Sequence, residues 1–248
     1  VDEVKKCVSD GCKEIWITGQ DTCCYGFDRK TNLARLLTEL VKIDGTFMIR
    51  VGMGNPRHVP KYLGELIEVM KHPKLFKFIH LPMQSGNDSV LKAMRRGHTV
   101  EQFREIVNAF RTAIPDITIS TDIIVGYPAE TEEQFQDTLD LVEELQIDNV
   151  NISRFAPRPG TPAATMSGQV HGNISKERST KLWHLCKRIS SERLQKWIGW
   201  EGTVIIDETA KEGMSARNFA YKTVIVRENL ALGSVITVKI TEAHEWFL

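Results

Sequence analysis

Short apolar runs alternate with amphipathic stretches along roughly the first three-fifths of the chain. The runs fall at 14–18, 47–51, 76–81, 117–125 and 149–155, and each has the length and the β-branched or aromatic content of a strand. Between them the period is helical: Leu33, Leu36, Leu37, Leu40 and Val41 share one stripe, as do Phe103, Ile106, Val107 and Phe110. Thr99 with Gln102, and Thr131 with Gln134, have the spacing of capping boxes that start two of these helices. Five successive strand–helix units predict an α/β fold with a parallel sheet, wound or closed into a barrel, whose functional side chains sit where the strands end.

After residue 155 the pattern changes. Pro157, Pro159, Gly160 and Pro162 stiffen a loop, and a long helix is expected over 175–197 with Leu182, Cys186, Ile189 and Leu194 on its buried stripe. Its other face carries Lys176, Arg178, Lys181, Lys187, Arg188, Arg193 and Lys196 against Glu177 and Glu192, which fits either a solvated face or a surface for phosphates. Short strands at 203–206, 221–226 and 234–240 then predict a small antiparallel β-barrel. The expected division is 1–196 and 197–248.

Lys plus Arg equals Asp plus Glu at 32 each, so binding to nucleic acid has to rest on local clusters of charge. No apolar run approaches the roughly 20 residues of a membrane span, and the first residues have no secretory apolar segment, so a cytoplasmic protein without membrane contact is expected. Of the five cysteines, Cys7 and Cys186 lie on helical apolar stripes, and Cys12 precedes a strand, so all three read as packing residues. Cys23 and Cys24 are adjacent in a loop and lack the spacing of an iron–sulfur ligand set. His80 alternates with Ile79 inside a strand and reads as a core histidine; Arg95 and Arg96 suit a helix C-terminus.

Two stretches are more specific: FIHLPMQSGNDSVLKAMRRGHT at 78–99 and TDIIVGYPAETEEQF at 121–135, each a strand that breaks at polar residues and glycine before opening a helix. With RFAPRPGTPAA at 154–164, their order and spacing resemble the radical-SAM methylthiotransferases, which add a methylthio group to an RNA base. EIWITGQDTCCYG at 14–26 and RVGMGNP at 50–56 bring the resemblance closest to the archaeal and eukaryotic branch that acts on threonylcarbamoyl-adenosine beside the tRNA anticodon. Branches acting on isopentenyl-adenosine or a ribosomal protein stay open as alternatives, as does an RNA-binding module without catalysis. An ordinary metabolic barrel is disfavoured because no phosphate-gripping glycine loop is visible late in the barrel.

The resemblance implies a partial (β/α) barrel of radical-SAM type followed by a TRAM-like RNA-binding barrel. It also implies S-adenosylmethionine and [4Fe–4S] clusters as cofactors and tRNA, not DNA, as partner. The family's CxxxCxxC signature does not occur in the chain, so no metal ligands are assigned, and the chain by itself is expected to be an inactive fragment. By the same resemblance Gln84, Ser85, Asp122, Gly126, Glu130, Phe155 and Arg158 contact the cofactor, with Glu130 bracing its loop. Gln20, Asp21, Asn55, Lys187, Arg188, Arg217 and Lys222 contact the RNA.

Overall fold

The structure is a computed structural model describing residues 1–248. Strands β1 (Glu14–Ile17), β2 (Met48–Val51), β3 (Phe78–His80), β4 (Thr118–Val125) and β5 (Asn149–Arg154) are parallel to their neighbours and lie side by side in chain order. β1 pairs with β2, and β3, β4 and β5 form a second ladder; the pieces meet at a bridge between Ile49 and Leu75. The sheet is open, since β1 and β5 do not pair. Helices α1 (Asp2–Ser9), α2 (Leu33–Leu40), α3 (Leu63–Met70), α4 (Asp88–Ala93), α5 (Val100–Ala113) and α6 (Glu132–Leu145) connect or flank the strands.

Each strand ends within one or two residues of the apolar run that predicts it. Both capping boxes form in full, at Thr99 with Gln102 and at Thr131 with Gln134. Because side chains alternate along a strand, Ile15, Ile49, Val51, Ile79, Ile119, Ile123 and Val125 all face the helices and belong to one apolar cluster. The opposite, concave face therefore receives Glu14, Trp16, Arg50, Phe78, His80, Asp122 and Asn151, most of them polar.

The long helix α7 (Gly172–Gln195) starts three residues before the position its periodicity indicates, capped by the His171 ring, which accepts from the Asn173 N–H at 3.2 Å. Beyond it β6 (Glu201–Ala210), β7 (Gly213–Arg217), β8 (Thr223–Val226) and β9 (Val235–Lys239) form an antiparallel sheet in the order β8-β7-β6-β9. Strand β7 lies outside the expected strands because its residues are mostly small and give no β-branched signal. This sheet covers its own apolar cluster, which includes Trp197 and Leu248; Leu194, in the last turn of α7, joins it.

The two sheets are joined at the N-terminal ends of the parallel strands. The Lys77 N–H donates to the Phe219 carbonyl at 2.7 Å, and the Thr118 hydroxyl to that of Ala220 at 2.6 Å. Beside these bonds the wholly buried Asp148 accepts from Lys222 and Arg193 at 2.7 Å each, from the Ile119 N–H at 3.0 Å and from Arg111 at 3.4 Å. Burial pushes its carboxyl upward, but the charges of Lys222 and Arg193 and the hydrogen bonds outweigh that and hold it below the ordinary carboxylate range.

Asp148→Asn leaves these cations without their counter-charge and should cost about 3–5 kcal/mol in urea unfolding. Lys222→Met, after which two arginines still hold Asp148, should cost clearly less. Because the Asp148 pKa is depressed by folding, its contribution is present above about pH 4 and lost as pH falls through the lowered value. The Asp148→Asn penalty should therefore shrink in melts taken at progressively lower pH, and a penalty constant down to about pH 2 would contradict this account.

Candidate active site

On the concave face, register alone brings together side chains far apart in sequence. His80 pairs with Ser120, and Asp122, two residues further along β4, pairs with Asn151. The Asp122 carboxylate thus receives the His80 ring at 2.9 Å and the Asn151 amide at 2.8 Å. Burial pushes the Asp122 carboxyl upward, yet the bonds from His80 and Asn151 and the charge of Arg96 hold it below the usual carboxylate range. It is ionised, oriented and half-exposed.

Deeper in the same face the Arg50 guanidinium lies 4.7 Å from the Trp16 ring, 4.8 Å from Phe78 and 5.1 Å from Tyr221. Its Nε is buried without a partner, so aromatic faces rather than a carboxylate hold this cation. Glu14 closes the floor by accepting from the Trp16 indole and, at 3.1 Å, from the Tyr221 hydroxyl.

The rim is built by the loops after the strands. Gln84 has a left-handed backbone (φ 75°) because its N–H donates to the Asp122 carbonyl at 2.8 Å while its own carbonyl accepts from Ile124 at 3.0 Å. This places Gln84 beside Asp122 and leaves its side-chain oxygen buried without a donor. Arg96 is complementary, with an Nε that is buried and unpartnered, and its charge acts on Asp122. Gly126 (φ 75°) lies against Ser175, and a Cβ there would collide with that hydroxyl. Its N–H donates at 2.7 Å to Glu130, which Arg178 of α7 clamps at 2.8 Å. Burial raises the Glu130 pKa despite those donors. Phe155 packs edge-on against Tyr127, with ring centroids 5.3 Å apart.

Other expected contacts are placed elsewhere. Ser85 is fully buried on the helix side, where its hydroxyl accepts from the Asn87 N–H at 3.2 Å and lies 3.5 Å from Thr138; it braces the loop and cannot touch a ligand on the concave face. Arg158 is exposed in the loop beyond β5, away from the Gln84–Asp122 pair. Gln20 is exposed on the rim. Asp21 and Asn55 do come together: the Asp21 carboxylate accepts from the N–H groups of Cys23 at 3.0 Å and Asn55 at 2.9 Å, while the Asn55 side chain caps the Arg57 N–H.

Five of the seven basic residues along this helix face are paired with acids, while Lys176 and Lys196 are exposed and form no ion pair within 4.0 Å. Arg178 and Arg193 turn inward to Glu130 and Asp148, Lys181 meets Glu132 and Glu177, Lys187 meets Glu245 at 2.6 Å, and Arg188 is held by Glu143 and Glu192. Arg217 is paired with Asp207 at 2.7 Å, and Lys222 is the buried partner of Asp148, so Lys222 is unavailable to RNA. In the segments that follow the C-terminal ends of the strands, Lys30, Arg57, Lys61, Lys92, Arg95, Arg96, Arg154 and Arg158 form no ion pair within 4.0 Å.

Nor do the residues present fit an iron–sulfur cluster, since no three histidine, cysteine or acidic side chains converge. Cys23 is buried under Tyr62, whose hydroxyl donates to the Cys23 carbonyl at 2.7 Å, and burial pushes its thiol up to about 12. Cys186 is likewise buried and pushed up to about 12. Cys12, expected to pack, is exposed, as is Cys24.

A sequence profile of the Radical SAM superfamily matches residues 1–142. The chain is 48% identical, over 91% of its length and 53% of the other's, to a probable threonylcarbamoyladenosine tRNA methylthiotransferase of Pyrococcus horikoshii. It is 38% identical, over 100% of its length and 58% of the other's, to a tRNA-2-methylthio-N(6)-dimethylallyladenosine synthase of Fusobacterium nucleatum. It thus spans somewhat more than half the length of these relatives. In structure it resembles the radical SAM enzyme coproporphyrinogen III oxidase of Escherichia coli, with a TM-score of 0.55 over 77% of this chain and 45% of that one at 18% identity, a likeness of fold.

The thiols should react in three classes that follow their exposure. At pH 8 a maleimide reagent should modify Cys12 and Cys24 quickly, Cys7 more slowly, and Cys23 and Cys186 only after unfolding. Anaerobic reconstitution with iron and sulfide should give no stoichiometric cluster in this chain, by iron analysis and electron paramagnetic resonance. A cluster abolished by Cys23→Ser and Cys24→Ser would overturn the placement of those two residues.

Proposed function

The chain belongs to the Radical SAM superfamily, and from that premise we propose that it carries the cofactor and substrate rim of a tRNA methylthiotransferase acting on threonylcarbamoyl-adenosine beside the anticodon. The observation that carries this reading is the 48% identity to the Pyrococcus horikoshii relative over 91% of the chain. The dimethylallyl-adenosine relative covers the whole chain at 38%, so modification of that base is the competing outcome.

The rim fits S-adenosylmethionine. The orphaned Gln84 oxygen and Arg96 N–H offer an acceptor and a donor to a zwitterionic amino acid, and the ionised Asp122 beside them offers an acceptor to ribose hydroxyls. Phe155 with Tyr127 supplies an apolar wall, and Gly126, whose side-chain space is taken by Ser175, lets α7 pack against the loop. When bound and given one electron by a cluster for which this chain has no ligand set, this cofactor would supply hydrogen-atom abstraction from an unreactive C–H bond. The His80 and Asn151 bonds orient Asp122, while the Glu130–Arg178 clamp fixes the glycine loop.

Residues 1–196 and 197–248 act as two units in this reading, supported by two main apolar clusters that divide close to residue 196 and are joined by Leu194 and by the packing of Phe76 and Phe78 on Ile205. The second is assigned as a TRAM-like RNA-contacting unit on the strength of its antiparallel strands. Phosphates of the anticodon stem-loop are held mainly by the unpaired cations in the segments after the strands, supported by the pairing of Lys187 and Arg188 of α7 with Glu245, Glu143 and Glu192.

Three measurements test this. Asp122→Asn and Gln84→Ala should each weaken S-adenosylmethionine binding about tenfold in equilibrium dialysis without changing the far-ultraviolet circular dichroism. Reversing Arg95 and Arg158 to Glu should weaken stem-loop binding and lower its salt slope by about 2, one per lost phosphate contact. Reversing Lys187 and Arg188 should do much less, and the opposite ranking would restore α7 as the grip. Mass spectrometry of tRNA from a deletion strain complemented with the full-length protein should show methylthiolated threonylcarbamoyl-adenosine; the dimethylallyl product instead would defeat the substrate assignment.

A further inference from the structure

At the end of the parallel sheet opposite the rim, the two sheets leave a cavity of about 440 Å³ between them. Its lining includes four cations, Lys13 before β1, Lys71 after α3, Lys77 before β3 and Arg217 at the end of β7, and no aspartate or glutamate. Arg217 is paired with Asp207 at 2.7 Å, whereas the three lysines are left largely uncompensated. Lys13 has no ion-pair partner within 4.0 Å, and the Lys77 ammonium donates only to the carbonyls of His72 and Leu75, at 2.6 and 2.9 Å. Lys71 meets only Glu68 on its own helix flank, with both side chains largely in water, which binds weakly. Burial pushes Lys77 down to about 8, as expected of an ammonium lacking a counter-ion.

Asn218 is a second, independent sign. It is fully buried, and its side-chain oxygen accepts from the N–H groups of Ala220 at 3.0 Å and Lys222 at 2.9 Å. Its amide nitrogen, with two hydrogens to give, has no acceptor although it belongs to the cavity lining. Orphaned buried donors are uncommon because they forgo water without replacement. The rest of the wall is mostly apolar and includes Phe47, Phe76 and Phe219. Cations and a free amide beside aromatic rings suit an anion that carries a flat ring, and the volume is that of a small-molecule site.

We infer that this cavity binds a small phosphorylated ring compound of mononucleotide size, its phosphate held by Lys13, Lys71 and Lys77 and its ring packed on the phenylalanines. The site is separate from the rim, because it lies at the N-terminal ends of β1, β2 and β3 whereas Gln84 and Asp122 lie toward the C-terminal ends of their strands. Since the ligand would touch both sheets, its binding would strengthen their junction.

Isothermal titration of the purified chain with adenosine 5′-monophosphate, adenosine and inorganic phosphate tests the inference. The nucleotide should bind, adenosine should bind at least about tenfold more weakly, and phosphate should compete with the nucleotide. The double variant Lys13→Ala with Lys71→Ala, at positions that leave the core intact, should lose at least about tenfold in nucleotide affinity with an unchanged melting temperature. Lys181→Ala, on the far surface, should change nothing. Equal binding of nucleotide and adenosine, full affinity in the double variant, or no nucleotide heat at about 1 mM would overturn the site. A 5′-phosphorylated trinucleotide displacing the nucleotide as well as the nucleotide itself would show an RNA-end site instead, and would overturn the small-ligand reading.

Discussion

Asp148 sits in the short link between α6 and β5, and its carboxylate is the point at which four separate parts of the chain are tied. Arg111 comes from α5, Arg193 from α7, the Ile119 N–H from β4 and Lys222 from the antiparallel sheet. One buried anion facing these cations has no relaxed alternative, since moving any one element strips a charge of its partner inside a medium that screens poorly. β5 is the exposed edge of an open sheet, and the second sheet touches the first through few backbone bonds. The carboxylate therefore does for the edge strand and the junction what barrel closure would otherwise do.

With the edge strand fixed, register fixes the site. Strand alternation leaves no freedom over which residues face the helices once Ile79, Ile119 and Ile123 are buried there. His80, Asp122 and Asn151 must then converge on the other side. The tight turn at Gln84 follows from the same ladder, because its N–H and carbonyl continue the β4 pairing, and the left-handed backbone is the cost of that continuity. The buried side-chain oxygen of Gln84 is thus placed by strand pairing, and so is the carboxylate beside it.

Much of this was legible in the chain. The five parallel strands and both capping boxes follow from local patterns, whereas Asp122 at the site and the bracing Glu130 were implied by the family resemblance. What could not be read depends on register and on partners distant in sequence. His80 looks like a core residue until its strand is set against β4, after which Asp122 lies one step along the same face. Ser85 is adjacent to Gln84, yet points the opposite way and braces Thr138. Strand β7 was invisible because small residues carry little propensity, and its burial comes from the sheet around it.

Charge was the least legible property, and the reason is physical. A basic stripe counted along one helix ignores acids supplied by other elements, and for α7 those acids come from α6, from the loop before it and from the C-terminal segment. Pairing redistributes the available field. A chain with zero formal net charge can hold a helix face on which most cations are paired together with unpaired cations after its strands, although the helix looks the more basic of the two in sequence. For a polyanion the unpaired cations matter most, because only a cation not already neutralised by a carboxylate can exchange condensed counter-ions for a phosphate. At the other end of the parallel sheet Lys77 is partly desolvated among carbonyls, with no carboxylate in the cavity lining, which suits a compact anion.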